Sequence, residues 1–152
     1  MIPVYYPELD ETCYREVLEN GLTVAVVKKP GFTRKLAYFV TDFGAIHTEF
    51  TLNGQAHTTP AGIAHFLEHK LFEEQDGNVF DKFSLLGASA NAFTSFDKTA
   101  YHFSATSNFL ESLEVLRTCN DRDTKILWLG DKLSNMRSLA KDYILIGEEV
   151  FE

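Results

Sequence analysis

The sequence predicts an α+β domain, an antiparallel sheet flanked by helices, and three observations carry that expectation. Residues 22–52 hold three short runs rich in β-branched and apolar residues, bounded by turn signals. Residues 59–86 switch to apolar positions at helical spacing. Residues 88–106 return to two extended runs on either side of Ser95-Phe96-Asp97-Lys98, the pattern of a hairpin.

The opening 20 residues mix aromatics with acids, show no clear period, and read as an irregular arm. Asn20-Gly21 marks a turn, and residues 22–27 follow as the first strand. Residues 35–43 alternate, with Leu36, Tyr38 and Val40 on one face. Residues 46–52 alternate well enough to be a third strand, and Asn53-Gly54 and Pro60 bracket a loop. Thr59 then suits a helix N-cap and Pro60 the first helical position. This helix is expected to run to Gly77. Ile63, Phe66, Leu67 and the stem of Lys70 would form its apolar face, and His65, Glu68 and His69 would share another. Residues 79–86 read as a second helix stopped by Gly87. Ser107 or Asn108 would cap a third, running to about Arg117 with Phe109, Leu110, Leu113 and Leu116 apolar. Beyond it the pattern is weak until residues 131–146, which read as a helix ending at Gly147.

Composition narrows the class. A chain of 152 residues is one domain or part of one. Its 45% hydrophobic and 24% charged residues suit a soluble globular protein. No run approaches the roughly 18 apolar residues of a membrane span. The start, MIPVYYPELDETCYREV, lacks the basic and apolar regions of a secretory leader. With 22 acidic and 14 basic residues the formal charge is −8, which repels phosphate backbones and argues against a nucleic-acid partner. Cys13 and Cys119 form no CxxC pair and read as free thiols in a reducing cytoplasm, a bridge between them being the alternative.

The chemistry concentrates in His65-Phe66-Leu67-Glu68-His69. Residues four apart share a helix face, so both imidazoles reach one point. Zinc takes neutral imidazole nitrogens at about 2.0–2.1 Å, and its catalytic sites use three protein ligands and a water. Such a water has its pKa lowered to about 7, so a carboxylate that is not a ligand, here Glu68, can take its proton at neutral pH. An amphipathic helix that happens to carry two histidines is the bland alternative. His47, His57 and His102 stand at no metal spacing to this motif and read as ordinary strand or surface histidines. The aromatic residues Phe93, Phe96, Tyr101 and Phe103 read as packing.

H-x-x-E-H is the inverted zinc-peptidase motif. With it, AGIAHFLEHKLFEEQDGNVFDKFSLLGASANAFTSFDKTAYHFSATSN, residues 61–108, resembles the pitrilysin/insulinase family of zinc metallopeptidases, and most of all its YmfH-like bacterial branch. Residues 1–117 are family-like, and 118–152 form a divergent tail. The resemblance implies the first part of a pitrilysin-like metallohydrolase domain, with zinc as cofactor, His65 and His69 as ligands and Glu68 as general base. It implies that Ala90, Asn91, Ala92, Phe93 and Thr94 belong to a strand along which a peptide or unfolded polypeptide pairs, the small alanines, Ala88 included, letting a backbone come close. It implies an acidic third ligand near the end of a later helix. Glu149 in KDYILIGEEVFE fills that place, Glu148 is an alternative, and Asp142 would be the acidic group two turns earlier.

Family members build their chamber from two halves, each larger than this chain. Two functions therefore stand side by side. One is a zinc metalloendopeptidase. The other is an inactive fragment or subunit that binds peptide or a second, homologous peptidase chain.

Overall fold

A computed structural model describes residues 1–52, 54–74, 77–122 and 143–146. Its main sheet has seven strands. The first two are β1 (Ile2–Tyr6) and β2 (Glu11–Val17), an antiparallel hairpin running from Ile2↔Arg15 to Tyr6↔Glu11. The opening segment is thus a hairpin, not an irregular arm. Val4, Tyr5, Tyr6, Thr12 and Tyr14 are good strand formers, and the turn is closed locally. Leu9 N–H donates to Tyr6 O at 3.1 Å, and the Tyr5 hydroxyl donates to Asp10 Oδ1 at 2.7 Å. Asp10 takes φ 51, a left-handed conformation that aspartate tolerates better than most residues.

Next come β3 (Thr23–Val27) and β4 (Lys35–Thr41), both at the positions the sequence predicts. The predicted third strand starts later. β5 (Glu49–Leu52) pairs with β6 (Gln55–Thr58) in a separate two-stranded hairpin, so part of the expected loop is strand. Helix α1 (Ile63–Phe72) begins three residues after Pro60, not at it. Pro60 and Ile63 instead close a turn, Ile63 N–H to Pro60 O at 3.3 Å, and Gly62 sits at φ +87. Such a φ suits glycine and would interrupt a helix started at Pro60. The helix also stops before Gly77, because β7 (Glu73–Glu74) pairs there with β8 (Gly77–Asn78).

Helix α2 (Val79–Leu85) is capped by Asn78, whose side chain accepts from Phe80 N–H at 2.9 Å. The hairpin β9 (Ser89–Thr94) and β10 (Thr99–Ala105) follows as expected. Helix α3 (Phe109–Arg122) continues past the predicted end. The last described strand, β11 (Tyr143–Ile146), replaces the last four residues of the helix expected over 131–146, whose earlier part, 131–142, lies outside the described residues. It lies parallel to β3 and antiparallel to β4. Tyr-Ile-Leu-Ile is a short apolar run, and periodicity alone does not separate a buried strand from a helix at that length.

The sheet order is β1-β2-β3-β11-β4-β10-β9. Two strands therefore stand at its edges, β1 and β9. The core joins Val24, Val26, Ala37, Tyr101, Phe103 and Ala105 of the sheet to Val79, Phe83, Phe109 and Leu116 of α2 and α3. Phe103 anchors it, with ring centroids 5.5 Å from Phe83 and 5.1 Å from Phe109. A second cluster of Phe43, Ala64, Phe50, Ile63 and Leu67 ties α1 to the β5–β6 hairpin.

Candidate active site

Helix geometry sorts the motif residues. At about 100° per residue, Ala64 and Glu68 lie on one stripe, and His65 and His69 on the next. The first stripe is buried, with Ala64 1% and Glu68 8% exposed. The two histidines are exposed. Phe66, expected on the apolar face, is 55% exposed and lies under the Lys70 ammonium, 5.8 Å from its ring centroid. Glu68 occupies the sheet-facing position instead.

The imidazoles converge. His65 Nε2 and His69 Nε2 are 3.0 Å apart, close enough for one ring to donate to the other. Two nitrogens bound tetrahedrally at 2.0–2.1 Å would stand about 3.3 Å apart. The pair therefore needs only a small opening to share one ion, and its donor chemistry suits zinc. Among the described residues no set of three His, Cys, Asp or Glu side chains is gathered around a point. Asp142, Glu148 and Glu149, the expected acidic contributors, lie outside the described residues.

Glu68 is held from the sheet. Thr94 Oγ1 donates to Glu68 Oε2 at 2.9 Å. The Thr94 hydroxyl lies 3.4 Å from that of Thr99, which donates to Phe43 O at 2.7 Å. Tyr101 packs nearby, and its hydroxyl pKa is pushed well above the ordinary range by burial and then by the negative charge of Glu68. It therefore stays a neutral phenol through physiological pH. Sequence reasoning treated Tyr101 as packing only and gave Thr99 no role beyond its strand. Their place is set by β-register, Tyr101 opposite Ala92 and Thr99 opposite Thr94, which local pattern does not reveal.

Strand β9 places the five expected peptide-contacting residues at a sheet edge. Alternate side chains face opposite ways. Ala90 and Ala92 pack against the core, and Thr94 meets Glu68. Asn91 and Phe93 look outward, Phe93 being 47% exposed. The Asn91 side chain accepts from the N–H of Ala92 at 2.9 Å. The far end of this hairpin is fixed by a backbone crossing, with Ala45 N–H to Ser95 O and Ile46 N–H to Phe96 O, both 2.9 Å. A Cβ on Gly44 would come within 2.5 Å of Lys98 N and 2.6 Å of Phe96 O, so only glycine fits beneath the tip.

His47 and His57 stand apart from this cluster, stacked on Phe43 and Phe50 at centroid distances of 5.8 and 5.5 Å. His102 stacks on Tyr38 at 4.7 Å, and burial lowers its pKa. No described helix is long and apolar enough to cross a membrane.

Comparison with known proteins fits this geometry. Residues 42–120 match the sequence pattern of the family described as Insulinase (Peptidase family M16). Over 150 residues the chain is 45% identical to the protein described as uncharacterized zinc protease YmfH, from Bacillus subtilis strain 168, covering 97% of this chain and 33% of that protein. An M16-like peptidase from Alicyclobacillus acidocaldarius superposes with TM-score 0.68 at 37% identity, over 78% of this chain and 27% of its own. Pitrilysin shares the fold at TM-score 0.57 and 19% identity, over 78% of this chain and 13% of its own. The chain thus spans about a third of the length of the B. subtilis zinc protease.

Proposed function

The chain belongs to the insulinase family of peptidases (M16), and from that premise we propose that it is the metal-bearing part of a zinc-dependent metalloendopeptidase. The observation that carries this reading is the convergence of His65 and His69, Nε2 to Nε2 3.0 Å, on the helix that also holds the buried Glu68. His65 and His69 would hold zinc, with Glu149 as third ligand and Asp142 behind it. When bound, zinc supplies a Lewis acid for a carbonyl oxygen and lowers the pKa of a water. Glu68 takes the proton of the attacking water and returns it to the leaving amine. With Oε2 engaged by Thr94, Oε1 is the oxygen left for that proton.

A peptide or unfolded polypeptide would pair antiparallel or parallel along Ser89–Thr94. Backbone hydrogen bonds give affinity there with little demand on sequence. We read 1–152 as a single, incomplete peptidase-like domain, family-like over 1–117 and with a divergent tail at 118–152. A reducing cytoplasm suits the acidic chain with its two cysteines. The test is Glu68→Gln. It is expected to keep bound zinc and lose hydrolysis of an unstructured peptide by at least about a thousandfold, in line with the largest general-base contributions. Wild-type rates in Glu68→Gln would overturn the assignment.

A second reading is favoured by one observation, the coverage of only 33% of the B. subtilis zinc protease. Here the chain works as a subunit or inactive piece that binds peptide or a homologous second chain. Zinc binding without cleavage, with cleavage restored by the second chain, separates this reading from a self-sufficient enzyme.

A further inference from the structure

We propose that Thr94 is a positioning residue for Glu68, coupling the carboxylate to the edge strand on which the peptide is expected to pair. The inference rests on the metallopeptidase reading above and extends it. It starts from the burial of Glu68. A carboxylate 8% exposed needs a donor, because an unpaired buried charge is costly. An ionised carboxylate only accepts, so its partner must supply a proton. The Thr94 hydroxyl supplies it at 2.9 Å.

The direction of that bond is set by the neighbour. Thr99 has one hydroxyl proton, and it goes to Phe43 O at 2.7 Å. Across the 3.4 Å gap to Thr94 it has no second proton to give. The Thr94 proton is thus free for Glu68.

The backbone of Thr94 does a different task. Ser95 N–H donates to Lys98 O at 2.7 Å, which fixes the phase of the ladder. Antiparallel pairs alternate between bonded and non-bonded positions. Residues 89, 91 and 93 therefore bond to β10, and the amides of 90, 92 and 94 point to the edge that no described strand covers, where that of Ala92 already donates to Asn91 Oδ1. One residue meets the peptide edge with its backbone and the carboxylate with its side chain. A peptide pinned at 90 and 94 restrains the strand that aims Glu68.

Two variants separate this role from packing. Thr94→Val keeps the shape and removes the hydroxyl, and Thr94→Ser keeps the hydroxyl. In the zinc-loaded chain, Thr94→Val is expected to lower kcat about tenfold with KM and zinc affinity within twofold of wild type. Thr94→Ser should restore kcat to within about threefold. In the metal-free chain, a double-mutant cycle with Glu68→Met reads the bond without activity. Thr94→Val should change the unfolding equilibrium constant about tenfold more when Glu68 is present, as for a hydrogen bond to a charged group. Coupling below twofold, or equal losses in the Val and Ser variants, would overturn the proposal. Coupling that persists while Glu68→Gln cleaves at the wild-type rate would sink the peptidase reading and leave the hydrogen bond standing. In a chain that cleaves nothing alone, the cycle decides.

Discussion

The two edges of the sheet are built differently. β1 carries Pro3, which has no N–H and is tolerated in sheets mainly at edges, where it removes a donor. Its start is tied down by an ion pair between the Met1 amino group and Glu16 at 3.1 Å. β9 reads Ser-Ala-Asn-Ala-Phe-Thr, with no proline and no charge. Natural sheets usually blunt an exposed edge with such devices, because unpaired backbone groups recruit other strands. Under the proposed function, the difference is what is expected of a sheet that takes a peptide strand at one edge only. β1 is discouraged from pairing by its proline, while β9 has no further strand beyond it among the described residues and lies where the sheet meets α1 and Glu68.

The contrast can be broken or sharpened by four changes. The largest effect is expected at the tip of the open edge. Gly44→Ala forces a Cβ to within 2.6 Å of backbone atoms of Phe96, so the β9–β10 turn must shift. Overpacking of this kind costs about 1–3 kcal/mol, read as a lowered denaturation midpoint. Ala90→Pro comes next. It deletes one outward amide donor from β9, worth about 1 kcal/mol, and should raise KM for peptide several-fold with zinc binding unchanged. Unchanged KM would mean that peptide does not pair at this edge. Pro3→Ala does the reverse at β1. It restores a donor and should increase concentration-dependent self-association in sedimentation, with folding stability altered by less than about 0.5–1 kcal/mol.

The smallest effect is a pH dependence. His102 lies opposite Asn91 of β9, and burial lowers its pKa. The folded state then binds less proton than the unfolded one as pH drops below about 6.5. Stability contributed by neutral His102 is present above that pH and is lost as pH falls toward the lowered folded value. The urea midpoint should fall from pH 7.5 to 5.5, and His102→Gln should remove part of that fall.

The sequence made the β3, β4, β9 and β10 strands and helix α2 readable because each has local signals, such as alternation or Gly87 as stop. The H-x-x-E-H pair was readable because α-helical spacing alone brings His65 and His69 together. Other features depend on partners far along the chain. β11 belongs to the middle of the sheet through β3 and β4, and its four residues carry no sign of that. β1 and β2 stabilise one another across a turn of acids and aromatics that locally reads as irregular. Phe66 was assigned to the core because it is apolar, yet the rotation of α1 is decided by which stripe meets the sheet. Thr94 was named for its strand, and its bond to Glu68 follows only from the way α1 lies on β9.

Zinc stoichiometry tests the central claim most directly. The chain, loaded with zinc and dialysed, is expected to retain one zinc per molecule by elemental analysis. That zinc should be lost in His65→Ala and in His69→Ala and kept in Glu68→Gln. A wild-type chain that holds no zinc, or one whose zinc survives removal of either histidine, would contradict the account.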